Sequence, residues 1–379
     1  MQQVRGGCAV QKLLFLIHDL GQGGAEKVLV NLVNNMDFSK FDITVMTLFD
    51  SGENRQFLSS HIKYKTWCKK MIPGNSHFLK LFNPEQLHKV IIKEKYDIEI
   101  AYLEGPCARV ISGCKDKLTR LVAWIHIEQH EAETAAVGFR NVKEARQCYG
   151  QFDRIVCVSQ TVKEVFYNAL GVDVPYQVLY NTNENDKILK MAREKVTDIS
   201  FSKSEFKIVG VGKLLKNKGF DRILRVTNRL LKEGYRLHLY ILGEGTEKKT
   251  LLQYVSENHL EHNVTFLGYQ LNPYKYVARC DLFVCSSFTE GFSTAATEAL
   301  IVGTPICTVS VSGMQEMLGE HNEYGLITEN NEDSLYQGIK KLMDSDELLD
   351  YYKSQAVIRR LKFSTKETVQ AVENMFLSL

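Results

Sequence analysis

The chain has 379 residues, 44% of them hydrophobic and 24% charged, with a formal net charge of +2. That length exceeds one ordinary core and predicts two domains. The composition excludes extended disorder, and the nearly balanced charge excludes nucleic acid as a partner held by whole-molecule attraction. Nine cysteines form no Cys-x-x-Cys pair, and several sit inside apolar runs such as Val156-Cys157-Val158. They read as buried, reduced thiols of a cytoplasmic protein rather than as a disulfide framework or zinc site. No run approaches ~18 uninterrupted apolar residues, and the apolar segment before His18 is too short for a signal peptide. The expected location is the cytoplasm, with peripheral contact on the cytoplasmic face of a membrane left open.

Short apolar runs alternate with helical patterns along the chain. Residues 12–17, 43–48, 98–103, 121–125 and 154–158 read as strands, and 26–36, 84–95 and 161–170 as helices. Strands apolar on both faces and separated by helices predict a parallel sheet covered on both sides. The pattern lapses over 181–205, which is polar and read as a linker between an N-terminal domain, 1–180, and a second domain, 206–355. There the strands are 207–211, 237–242, 264–267, 282–285 and 305–308, with helices at 219–232, 247–258 and 294–302. The tail from Asp333 is helical, and 356–379 is expected to pack back on the first domain. Two doubly wound α/β domains of this kind bind ligands at the carboxyl ends of their strands.

The loops at those strand ends carry the candidate chemistry. In "LIHDLGQGGAEKVLVNL", Gly21, Gly23 and Gly24 lie between a strand and an amphipathic helix. Free backbone N–H groups at a helix start suit phosphate; a Gly-x-Gly-x-x-Gly dinucleotide fingerprint is absent, and a glycine turn serving only close helix–strand packing is the lesser alternative. In "GVGKLLKNKGFD", Gly212, Lys213 and Lys218 form a cationic strand exit suited to a diphosphate leaving group. "LGEG" places Gly243 and Glu244 at the next exit. In "SSFTEGFSTAATEAL", Glu290, Gly291 and Phe292 precede a helix capped by Ser293 or Thr294, with Glu298 in its second turn. A carboxylate at Glu298 can accept both hydroxyls of a ribose, while the N–H groups at the helix start face phosphate. In "LVAWIHIEQHEAE", His126 follows a strand; the zincin spacing is missed because Glu128 is one position late.

Together, "GVGKLLKNKGFD", "LGEG", "VTFLGY", "SSFTEGFSTAATEALIVGTPIC" and "GGAEKVLVNL" resemble the retaining GT-B glycosyltransferases of family four, over most of the chain and most densely from Lys207 to Thr308. The resemblance implies a GT-B fold, two Rossmann-like domains facing across a cleft. It implies that Glu290 lies by the donor sugar, Glu298 binds the ribose, and Lys213 and Lys218 hold the diphosphate. The family has Arg at the first of these basic positions, and lysine keeps the charge but not the bidentate fork. His126 is implied beside the donor sugar, with Ile127 where the family often has Asp. The implied catalytic residues are thus His126, Glu290 and Lys218. The implied reaction is retaining transfer of a hexose-type sugar from a nucleotide sugar, a UDP-sugar by expectation, without a metal or other cofactor. The alternative on the same plan is a nucleotide-sugar epimerase.

On the acceptor side, residues 54–84 contain no acid. Arg55, Lys63, Lys65, Lys69, Lys70 and Lys80 are interleaved with Phe57, Tyr64, Trp67, Phe78 and Phe82. This composition suits an anionic membrane surface or a polyprenyl-diphosphate-linked acceptor, and equally a solvated basic region over buried aromatics. The expected acceptor is a hydroxyl of a glycan or lipid-linked oligosaccharide in cell-surface polysaccharide synthesis. Glu104 and Arg109, at another strand exit, are further acceptor-side candidates.

Overall fold

The computed structural model describes residues 10–21, 23–70 and 79–379. The chain divides into two compact units, Met1–Thr182 with Thr365–Leu379, and Asn183–Ser364.

The first unit is built on a seven-stranded sheet of β1 (Gln11–Ile17), β2 (Phe41–Phe49), β3 (Lys63–Cys68), β4 (Ile98–Ala101), β5 (Arg120–Ile125), β6 (Arg154–Cys157) and β7 (Tyr176–Val178). Their spatial order is β3-β2-β1-β4-β5-β6-β7, and every pairing is parallel. Five consecutive residues of β1, Leu13 to Ile17, are wholly buried, as the unbroken apolar run requires of a strand covered on both faces. Each such side chain contributes about 1.5–3 kcal/mol of burial. The terminal helix Thr365–Leu377 belongs to this unit: Phe376 packs edge-on against Phe15 and Phe41, at ring separations of 5.9 and 6.2 Å. The Glu373 carboxylate accepts the Asp37 N–H at 2.7 Å.

The second unit carries a six-stranded parallel sheet of β8 (Phe206–Val211), β9 (Leu237–Leu242), β10 (Val264–Gly268), β11 (Leu282–Cys285), β12 (Ile306–Val309) and β13 (Leu326–Thr328). Its order is β10-β9-β8-β11-β12-β13. Where the sequence reads as linker, Asn185–Ala192 is a helix whose Ile188 and Ala192 pack with Tyr274 and Ile301 inside this unit. Only two of its eight residues are buried, so its apolar signal is thin.

Each sheet reverses its strand order once, between β1 and β4 in the first unit and between β8 and β11 in the second. In such sheets the loops diverge at the reversal and open a crevice beyond the strand ends. The loops after β8 and β11 therefore form the predicted ligand position of the second unit.

Candidate active site

Those two loops are joined by an ion pair. Lys218 Nζ donates to both carboxylate oxygens of Glu290, at 2.7 and 2.8 Å, and Ser287 Oγ donates to the same carboxylate at 2.7 Å. The Glu290 side chain is only 9% exposed and that of Lys218 28%. Backbone contacts hold the pair: Phe288 N–H donates to the Asn217 carbonyl at 2.8 Å, and Ser286 Oγ to the Gly219 carbonyl at 2.9 Å. Gly219 has φ +64° and starts the helix Phe220–Lys232. A Cβ there would lie 2.1 Å from the Ser286 carbonyl oxygen, so only glycine allows the loops to approach this closely. Within that helix, Arg222 stacks 4.1 Å above the Phe288 ring and donates to Asn330 Oδ1 at 2.7 Å.

The neighbouring exits are stitched to the same frame. Gly212 N–H donates to the Leu242 carbonyl at 3.0 Å, Gly243 N–H to Gly268 at 2.8 Å, and Leu214 N–H to Glu244 at 2.9 Å. The Lys213 side chain is exposed. The Glu244 carboxylate forms a surface ion pair with Lys248 at 2.7 Å.

The helix Thr294–Val302 begins as the sequence predicts. Ser293 Oγ accepts the Ala296 N–H at 3.4 Å, making Ser293 rather than Thr294 the cap. Gly291 and Phe292 are buried beneath this start, and Phe292 packs on Phe363. Glu298 is 7% exposed and accepts the Tyr274 hydroxyl at 3.3 Å. Glu290 thus sits on the loop and Glu298 within the following helix, one on each side of a capped helix start.

In the first unit, His126 follows β5 and is buried. Its Nε2 has no hydrogen-bond partner. The ring lies against Tyr102 at 4.8 Å and is stacked on Trp124 at 6.5 Å. The Glu104 carboxylate, at the exit of β4, accepts the N–H groups of both His126 and Ile127, the latter at 3.0 Å. Burial holds the imidazole pKa down to about 3, against a weaker opposing contribution from the Tyr102 backbone. His126 is therefore neutral at pH 7. Since the unfolded chain binds this proton near pH 6.5, native stability should fall as pH drops from 6.5 toward 3, by about 1.4 kcal/mol per unit from this group. Urea melts of wild type and His126→Asn across that range test this; parallel curves would refute it.

Two sequence candidates read differently in place. Arg109 is 1% exposed, and its guanidinium is spent on Glu144, at 3.0 and 3.1 Å, and on the carbonyls of Leu79 and Phe82, at 2.8 and 2.6 Å. It anchors the chain around residue 80 and does not face a ligand. The glycine loop after β1 holds carboxylates: Asp19 accepts the Gly21 N–H at 2.8 Å, and the Glu26 side chain occupies the space a Cβ on Gly23 would need. Within the 54–84 segment, β3 takes up Lys63, Tyr64, Lys65 and Trp67. Lys63 pairs with Asp42 at 2.6 Å, Lys65 with Glu94 at 2.5 Å and Arg55 with Asp50 at 2.7 Å. Phe78 lies outside the described residues. Leu81, Phe82 and Phe57 are exposed.

Comparison with known proteins decides the family. Residues 192–358 match the model of the glycosyl transferases group 1, and residues 22–182 that of glycosyltransferase family 4. A Campylobacter jejuni N-acetylgalactosamine-N,N'-diacetylbacillosaminyl-diphospho-undecaprenol 4-alpha-N-acetylgalactosaminyltransferase is 31% identical over 367 residues, covering 93% of this chain and 96% of that protein. The chain belongs to the group 1 glycosyltransferases. The lipopolysaccharide core biosynthesis glycosyltransferase LpsD of Rhizobium meliloti is 23% identical, covering 95% of this chain and 96% of its own. Among solved structures, Anabaena HepE in complex with UDP and glucose superposes with a TM-score of 0.75 at 19% identity, over 97% of this chain and all of that one. Sucrose-phosphate synthase from Thermosynechococcus elongatus gives 0.80 at 15%, over 97% and 98%. These likenesses establish the GT-B fold.

In this glycosyltransferase the second unit brings Lys218 and Glu290 into contact, and sets Gly291, Phe292 and Ser293 between Glu290 and Glu298. His126 belongs to the first unit. The contacts of Ser287 with Glu290 and of Glu104 with the His126 loop are beyond sequence reasoning, because each joins loops from different strands or depends on the turn's exact path. No helix among the described residues is long and apolar enough to cross a membrane.

Proposed function

We propose that this glycosyltransferase moves a hexose-type sugar from a UDP-sugar to a hydroxyl of a lipid-diphosphate-linked glycan, with retention at the anomeric carbon. The observation that carries the reading is the Lys218–Glu290 pair at the β8/β11 reversal, beside the capped start of Thr294–Val302. Breaking the bond from the anomeric carbon to the diphosphate leaves an oxocarbenium-like sugar and an anion. Lys218 and the helix-start N–H groups supply positive charge to that anion without needing to reorganise, and the exposed Lys213 adds a second cation as it closes on the anion. Glu290 orients Lys218 and offers a carboxylate to the sugar hydroxyls. Glu298 takes the ribose diol. The neutral His126, with its free Nε2, bonds a sugar hydroxyl without adding charge, and acceptor attack on the face the diphosphate leaves gives retention. The α-linkage in the name of the Campylobacter relative, and the lipid diphosphate there, support both the stereochemistry and the acceptor class. The expected setting is the cytoplasmic face of a membrane, touched through the exposed Leu81 and Phe82 beside Lys80, in the synthesis of a cell-surface polysaccharide. The reaction as drawn uses no metal.

The test is nucleotide release from a panel of UDP-, GDP- and ADP-sugars with and without a polyprenyl-diphosphate-linked saccharide, with the product anomer read by NMR. Acceptor-dependent release of UDP and an α-linked product are expected. Nucleotide release with an epimerised free sugar and no acceptor would instead identify an epimerase. Glu298→Ala should weaken UDP binding about 10- to 100-fold by calorimetry, the worth of a hydrogen bond to a charged group; an unchanged Kd would remove Glu298 from the ribose. Sedimentation with anionic vesicles tests the membrane contact, and absence of co-sedimentation would dismiss it.

A further inference from the structure

We propose that His88, Glu99 and Cys114 form a site for a thiophilic divalent cation, zinc foremost, which ties the helix Pro84–Ile91 to strand β4. An imidazole nitrogen, a carboxylate oxygen and a thiol sulfur lie within 4.8 Å of one another, the only such trio among the described residues. They come from three elements: the helix Pro84–Ile91, the second residue of β4, and the turn after the helix Pro106–Ile111.

The position is built. Glu99 is 2% exposed, an ionisable group set into a sheet interior, and His88 Nε2 lies 2.7 Å from its Oε2. Burying a carboxylate this deeply demands a fixed positive partner. The turn bearing Cys114 reaches the helix because residue 113 is glycine: a Cβ there would lie 2.0 Å from the Pro84 carbonyl oxygen. The first turn of the helix is itself fixed, by a capping box from Asn83 to Gln86.

The donor set matches the cation. Zinc takes nitrogen, oxygen and sulfur at roughly 2.0–2.3 Å, which sets tetrahedral ligand atoms roughly 3–4 Å apart. To seat the ion, the 2.7 Å His88–Glu99 contact opens by roughly a few tenths of an ångström, and the longer separations, up to 4.8 Å, close by about 1 Å. A neutral imidazole, a carboxylate and a thiolate together carry two negative charges, which balance the dication. Binding expels the thiol proton, and any second proton on the imidazole, to solvent. His88 and Cys114 are partly exposed, leaving water the fourth position. Because the trio flanks β4 rather than crowning its exit, the ion's role is to clamp helix to sheet.

The test uses the full chain, stripped with chelator and titrated with zinc alone against a chromophoric chelator, then with cobalt as a spectroscopic probe. One zinc per chain is expected, with thiolate-to-cobalt charge-transfer absorption and a zinc-dependent rise in melting temperature. Cys114→Ser should abolish the charge-transfer band. Cys114→Ser and His88→Gln should each weaken zinc binding by roughly tenfold or more, and Cys68→Ser should leave it unchanged. Cys114→Ser changes a partly exposed side chain and keeps the His88–Glu99 pair, so it should fold; His88→Gln strips buried Glu99 of its partner, so its zinc titration is read only on protein whose circular dichroism matches wild type. No stoichiometric binding at micromolar zinc, or equal binding in Cys114→Ser, would overturn the site and leave a plain His88–Glu99 ion pair beside a thiol.

Discussion

Replacing Lys218 with alanine should lower kcat roughly 10²- to 10³-fold while leaving the fold intact. The scale is that of removing one preorganised charge from a developing anion. Lys218 is held in place before any donor arrives, by two hydrogen bonds to a nearly buried carboxylate that Ser287 also braces. A flexible surface lysine would have to be ordered during the reaction; this one is not. Glu290→Gln should lower kcat as well, because the neutral amide no longer holds the ammonium in place. The double variant should be little worse than the worse single one, since the two side chains act as a unit. Single-turnover kinetics with saturating donor separate this effect from binding. A turnover within about twofold of wild type would remove Lys218 from the leaving-group position, against the loss of 10²-fold or more expected there.

The second large effect concerns Gly219. Gly219→Ala should destabilise the second unit by about 2–5 kcal/mol, combining the left-handed backbone penalty with overpacking. Gly171 provides the matched control. Its φ is +60°, close to the +64° of Gly219, but a Cβ there meets nothing within 4 Å, whereas at Gly219 it meets the Ser286 carbonyl at 2.1 Å. Gly171→Ala should therefore cost only the backbone share, about 1–2 kcal/mol. Urea denaturation of both variants measures the difference. Equal losses would show that the loops relax around the new methyl group. If the loss at Gly219 is larger, its activity should fall too, because the same contact positions Lys218.

Most of the sheet framework was legible because its central strands are apolar on both faces. Strands β1, β2, β4, β5 and β6, and β8 to β12, all announce themselves as apolar runs. The three strands that did not, β3, β7 and β13, lie at sheet edges. β3 reads Lys-Tyr-Lys-Thr-Trp-Cys, with Lys63 paired to Asp42 of neighbouring β2 and Lys65 to Glu94 beyond the sheet, and β7 and β13 have three residues each. Edge strands need no continuous apolar signal, since one side faces no neighbour. In the site, the helix start and the two glutamates flanking it follow from local spacing. The ion pair of Lys218 with Glu290 spans 72 positions, and only the reversal of strand order brings its loops together. Arg109 misleads in the opposite sense. An arginine at a strand exit looks available, and only the structure reveals that buried carbonyls and Glu144 consume its donors.

The terminal helix Thr365–Leu377 also dictates an order of events during synthesis. The first unit's sheet emerges from the ribosome long before the aromatic ring that closes it, because Phe376 is 361 positions beyond Phe15. Until residue 376 is made, Phe15 and Phe41 lack that partner, whereas the second unit, Asn183–Ser364, is one uninterrupted stretch. Late closure of so long a loop is slow and leaves apolar surface open meanwhile. Loss of Thr365–Leu377 would therefore be felt at β1 and β2, more than 300 residues earlier in the chain, where Phe15 and Phe41 would lose their aromatic cover.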